Sequence, residues 1–314
     1  MMLGQEHAQE LGEHTAGAAE KFNAGKTIIE HVSNSSLEHP LLHLPTIAGI
    51  DFSVTKHVLM LWLVAAFVLV VVITAVRGFL KQERPIPTGL MNALEAVVEF
   101  IRDSIALPNV GKKWVNTWTP LLLTLFIFIF CANAIGLIPV FEVIGVIDHF
   151  VLHTGEHSLI KQLLHGGTTA TANYNVTAAL AMITFSSIII AGSRAHGAVK
   201  HWINLVPHGL AWPIYILLIP IELMGMLVRP FALTMRLAAN MIGGHIAILA
   251  ILSFVFLFAE MFGHAIAGVG VGIAVSVPLA SAISALEIIV VLVQAYVFTL
   301  LSAVFIGMAI HVHH

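Results

Sequence analysis

Apolar residues run without a formal charge from His57 to Val76 (HVLMLWLVAAFVLVVVITAV). At about 1.5 Å per residue such a run crosses a hydrocarbon core of roughly 30 Å, so it predicts a transmembrane helix. A different pattern follows, in which Leu90, Met91, Leu94, Val97, Val98 and Ile101 recur at helical spacing with Glu95, Glu99, Arg102 and Asp103 between them. It predicts an amphipathic helix on the membrane surface, although a soluble docking helix would carry the same pattern. Apolar runs over 119–141 and 175–192 predict a second and a third span. Beyond Leu210 the pattern changes again, because about 100 residues hold only Glu222, Arg229, Arg236, Glu260 and Glu287 as formal charges. Within that stretch Ala265 to Ile310 is 46 residues with one charge. That is about twice the length of an upright span. A hairpin turning near Gly268–Gly272 or Pro278, or one long tilted helix, would both fit.

Composition strengthens the membrane reading and adds an orientation. Hydrophobic residues make up 58% of the 314, and charged residues only 10%, against about a quarter in soluble domains. The net charge of −3 and the absence of a long basic run argue against a nucleic-acid partner. Six of the 14 basic residues (Arg77, Lys81, Arg84, Arg102, Lys112 and Lys113) lie between the first two spans. The positive-inside rule puts that segment in the cytoplasm and the N-terminal tail outside. The connection from Glu142 to Gly167 has one basic residue, Lys161, and is expected outside, while Arg194 and Lys200 follow the third span on the cytoplasmic side. The expected organisation is a polar external tail over 1–50 and a single all-α membrane domain over 51–314, with the C-terminus in the cytoplasm. The tail holds six Glu against two Lys and lacks the apolar stretch of a cleavable signal, so it reads as mature sequence.

Which residues could carry chemistry follows from cost. An arginine at mid-membrane costs about 2.5–3.5 kcal/mol on insertion scales, so it is usually paired or functional. On a helix, Glu222, Arg229, Arg236 and Gly243 are seven apart and drift only about 20° per step, and Asn240 stands one turn from Arg236. Glu222 and Arg236 would be about 21 Å apart along the axis and cannot pair directly. Arg229 reads more simply as a side chain snorkelling to an interface. Glu287 is the lone charge of the final apolar segment, with Gln294 and Ser284 on the same face. A carboxyl group in apolar surroundings resists ionisation, which brings proton binding and release within reach of neutral pH. His245 belongs to the same titration range. A structural hydrogen bond between Glu287 and His245 is one reading, and a proton path lined by Arg, Asn, His, Glu and Gln is the other.

Several chemistries lack support. Cys131 is the only cysteine, so no disulfide, thiol pair or cysteine-based metal cluster can form within the chain. His149, His153 and His157 share a helical face, but nothing at short spacing completes a metal site in the membrane. His311, His313 and His314 read as a solvated end. No phosphate-binding glycine loop, GxSxG or HExxH is present, so no cofactor, bound nucleotide or hydrolytic site is expected.

The stretch Arg229-Pro230-Phe231-Ala232-Leu233-Thr234-Met235-Arg236-Leu237-Ala238-Ala239-Asn240-Met241 resembles the signature of one family, the a subunit of F-type ATP synthases. Asn133 to Pro139 (NAIGLIP), Asn173 to Thr177 (NYNVT) and Leu292 to Phe298 (LVQAYVF) match it in order, over a chain covered from about residue 54 to the end. The resemblance implies a long tilted hairpin over about 210–260 and 265–310, wrapped around a rotating ring of c subunits. It also implies a peripheral stalk of b subunits and a bacterial inner membrane. Arg236 would face the ring carboxylate and separate two aqueous half-channels, with Asn240, His245, Glu287, Gln294 and Glu222 lining the path. ATP synthesis itself would fall to other subunits. Many bacterial members carry an acid at the His245 position and a histidine at the Glu287 position; here the two are exchanged, as in mitochondrial members. The readings from other classes are a secondary transporter binding an anion at Arg236 and a histidine-ligated membrane metalloenzyme. Paired repeats would favour the transporter, and stoichiometric metal the metalloenzyme.

Overall fold

The computed structural model describes residues 53–81, 87–137, 169–203, 212–262 and 266–311, together with Gly25 and Ile29. Among these residues every extended element is a helix. The first, α1 (Lys56–Leu80), holds the predicted first span and buries little of it, leaving Trp62, Phe67, Leu69 and Val70 on an outward face suited to lipid.

The amphipathic segment begins as α2 (Leu90–Glu99), passes into a π-helical stretch (Phe100–Ala106), and ends as α3 (Leu107–Val110). No residue of α2 is buried, but Ile101 and Ile105 of the π stretch are fully enclosed. The wider turn re-aims the apolar side chains inward, so the segment lies on the surface at one end and enters the core at the other. Gly111, at φ 78°, allows the reversal into α4 (Val115–Leu137).

A 3-10 turn (Ala170–Ala172) leads into α5 (Tyr174–His196). The NYNVT stretch has a direct structural meaning here. Asn173 is the N-cap of α5, its side-chain oxygen accepting from the Asn175 backbone N–H at 2.8 Å. After Gly197 comes the short α6 (Ala198–Ile203).

The last two helices are far longer than a bilayer is thick. α7 (Trp212–Met261) has 50 residues and α8 (Ile266–Ile310) has 45, or about 75 and 68 Å against a core of roughly 30 Å. They pack antiparallel as a hairpin, and their length fits a strong tilt in the bilayer. α8 is one helix, so the alternative of two spans turning at Gly268–Gly272 or Pro278 does not hold. The glycines serve packing instead. A side chain on Gly272 would overlap the backbone of Val255, and one on Gly268 would meet Phe258 and Phe262. Two small residues four apart thus let α7 and α8 approach closely. Pro278 removes one intrahelical donor, which a long packed helix tolerates.

One apolar core joins the π stretch, α3, α4, α5, α7 and α8 through Ile101, Val110, Leu122, Ile188, Leu237 and Phe298. Among the described residues ion pairing adds little to it: the Arg102–Asp103 pair, at 3.9 Å, is more than half exposed.

Candidate functional site

The hairpin register decides which polar groups meet. Residues running up α7 face residues running down α8, and the amide of Asn240 donates to Gln294 Oε1 at 2.8 Å. One turn farther along α7, Gly244 supports the Glu287 carboxyl so closely that a Cβ at position 244 would overlap it. Any side chain there would displace the acid. Glu287 is 3% exposed, and neither carboxyl oxygen has a hydrogen-bond partner among the described residues. Burying that group unsatisfied costs a few kcal/mol, which is reason to seek a functional explanation for it.

His245 follows Gly244 directly, and its Nε2 lies 2.7 Å from Thr169 Oγ1. Thr169 also packs against Gly136 of α4, where no side chain could fit beside it. Two residues on, the Thr171 hydroxyl donates to Asn133 Oδ1 at 2.5 Å. The 3-10 turn therefore gathers α4 and α7 at one end of the molecule, and its two threonines are part of the polar cluster. Sequence reasoning did not single them out, since hydroxyl residues next to a loop carry no periodic signal. Asn133 belonged to a recognised stretch but had no assigned partner.

Arg236 is one turn below Asn240 and is exposed on α7, with no ion pair to it among the described residues. It sits at the margin between the buried stripe of Leu233, Leu237 and Met241 and an exposed apolar face containing Val228, Phe231 and Met235. Nothing among the described residues neutralises it, and an unpaired guanidinium is costly in lipid. Arg229 differs: its guanidinium stands 5.4 Å from the Phe305 ring centroid on α8, a cation–π contact that accounts for its burial in part. Glu222 is half-buried two further turns toward the start of α7 and is not joined to the others.

His149, His153 and His157 lie outside the described residues. At the opposite end of the bundle His311 does more than sit in solvent, because its Nε2 donates to the Val110 carbonyl at 3.3 Å. His196 likewise donates to Ile310 at 2.9 Å. His201 packs beneath Gly192, and burial, with His196 nearby, holds its imidazole below the ordinary range.

Residues 58–307 match the ATP synthase A chain family. The chain belongs to that family. It is 39% identical to "ATP synthase subunit a 2" of Chlorobium luteolum, over 92% of this chain and 77% of the relative. It is 37% identical to "ATP synthase subunit a 2" of Prosthecochloris aestuarii, over 96% and 83%. It is 36% identical to "ATP synthase subunit a" of Anaeromyxobacter dehalogenans, over 98% and 75%. This member of the ATP synthase A chain family is a multi-pass membrane subunit, the proton-conducting stator component of the membrane sector.

Proposed function

We propose that α7 and α8 form two half-channels against a ring of c subunits, with Arg236 between them. The observation that carries this is the line of polar groups across two predominantly apolar helices: His245 with Thr169, Glu287 on Gly244, Asn240 bonded to Gln294, and Arg236 exposed at the end. Glu287 and His245 serve the external half-channel, where each takes and releases a proton. The Asn240–Gln294 pair stands between that path and Arg236 and holds the hairpin in register. Arg236 supplies a fixed positive charge for the rotor carboxylate, favouring its ionised form as it passes and repelling protons that would cross directly. Glu222 lies on the cytoplasmic half-channel. ATP is made by other subunits, and b subunits anchor this chain to the peripheral stalk. It resides in a bacterial inner membrane with its N-terminus outside and its C-terminus inside.

Membranes solubilised in mild detergent should yield the tagged chain together with a c-ring. Recovery of the intact, correctly inserted chain without a ring would overturn the reading. Orientation has its own check. With Cys131 replaced by serine, a cysteine at position 113 should react with an impermeant maleimide only from the cytoplasmic face of sealed vesicles, and labelling from the external face would reverse the topology.

A further inference from the structure

α1 faces outward over most of its length, yet one narrow stripe at its start is buried. His57, Met60 and Val64 lie on it at 2, 5 and 1% exposure, and Val54, just before the helix, is at 4%. Their spacing of three and four residues puts His57 one helical turn from Met60. Met60 packs against Ala170, with Leu61 and Ile135 beside them. Ala170 lies between Thr169, which bonds His245, and Thr171, which bonds Asn133. A titratable ring is therefore enclosed one turn beyond the residue that touches this polar turn, on the side away from Arg236.

An apolar ring would fill that space more cheaply, since burying an imidazole requires hydrogen bonds to offset its lost hydration. Imidazole has a property that phenyl lacks: it can accept a proton on one ring nitrogen and release one from the other, ending where it began. The titratable groups placed near this end among the described residues are His245 on α7, Glu287 on α8, Tyr174 at the start of α5 and, next to His57 in sequence, Lys56 on α1; α4 contributes the neutral Asn133.

We infer that His57 is an outer proton-relay residue of the external half-channel, receiving protons from the external aqueous phase and passing them by way of water to the Thr169–His245 pair. This rests on the external half-channel proposed above.

Chemical rescue tests it in the reconstituted holoenzyme, with ATP synthesis driven by a potassium diffusion potential at equal pH on both sides. His57→Phe keeps the volume without the titration, and His57→Ala leaves a space that free imidazole can enter. Both should assemble and lower the rate on the order of tenfold. Added imidazole should raise the His57→Ala rate several-fold while leaving wild type and His57→Phe unchanged. A His57→Phe enzyme at the wild-type rate would overturn the inference. So would an assembled, slow His57→Ala enzyme that imidazole does not help, or failure of both variants to assemble, either of which reduces His57 to packing. The wild-type enzyme guards the underlying reading separately, because potential-driven synthesis absent there would count against the stator role itself.

Discussion

Arg236→Lys is expected to reduce ATP-driven proton pumping by at least about 100-fold, the scale on which removal of a preorganised electrostatic group acts. The expectation follows from the site. Arg236 is exposed on α7 with no carboxylate partner among the described residues, so its charge is available to a group passing outside the chain. Lysine offers a point charge in place of a planar fork and loses its proton more readily in apolar surroundings, and each difference weakens a fixed electrostatic barrier. Pumping is read from ATP-driven quenching of a pH-sensitive dye in inverted vesicles, with assembly verified by immunoblot. The complementary change, Arg236→Ala, should permit passive proton leakage once the catalytic sector is stripped, since the repelling charge has gone. Near wild-type pumping by Arg236→Lys would refute the role.

The second large effect concerns the pair on either side of Gly244. His245→Glu puts a second carboxyl group one residue along α7 from the glycine that backs Glu287, and two acids so placed do not both ionise cheaply, whereas Glu287→His creates two imidazoles that favour a neutral, poorly conducting state. Each single change should slow pumping by roughly tenfold or more. The double exchange should recover part of the rate, because a glutamate at 245 can accept from the Thr169 hydroxyl that now meets the imidazole. Recovery stays incomplete, since an imidazole at 287 is bulkier than the carboxyl that fits against the bare backbone of Gly244. A double mutant no faster than the slower single would show the two positions to be uncoupled.

What the sequence made legible follows from the kind of signal each element leaves. α1, α4 and α5 were readable because a charge-free run of span length has few other uses. The number of helices after Leu210 was not readable from periodicity, because an apolar run about twice span length fits two upright helices or one inclined helix equally well. The contacts of Gly272 with Val255 and Phe258 join residues more than a dozen positions apart, beyond the reach of a local pattern. The site divides in the same way. Arg236, Asn240, His245, Glu287 and Gln294 attract notice as costly residues in lipid. The Asn240–Gln294 bond spans 54 residues and depends on helix register, which no local pattern encodes. Thr169 and Thr171 matter only because a 3-10 turn brings them to His245 and Asn133.

The Asn240–Gln294 bond also bears on biogenesis. The chain is made from its N-terminus, so α7 leaves the ribosome with Arg229, Arg236 and Asn240 while Phe305 and Gln294 are still untranslated. During that interval Arg229, without the Phe305 ring, carries an insertion penalty of about 2.5–3.5 kcal/mol, and α7 has little packing of its own to offset it. The relief for Asn240 arrives only when α8 has folded back far enough to bring Gln294 alongside. Asn240 and Arg229 of α7 thus reach their partners only once both helices are in place, so the hairpin and not the single helix is the unit that satisfies its polar groups.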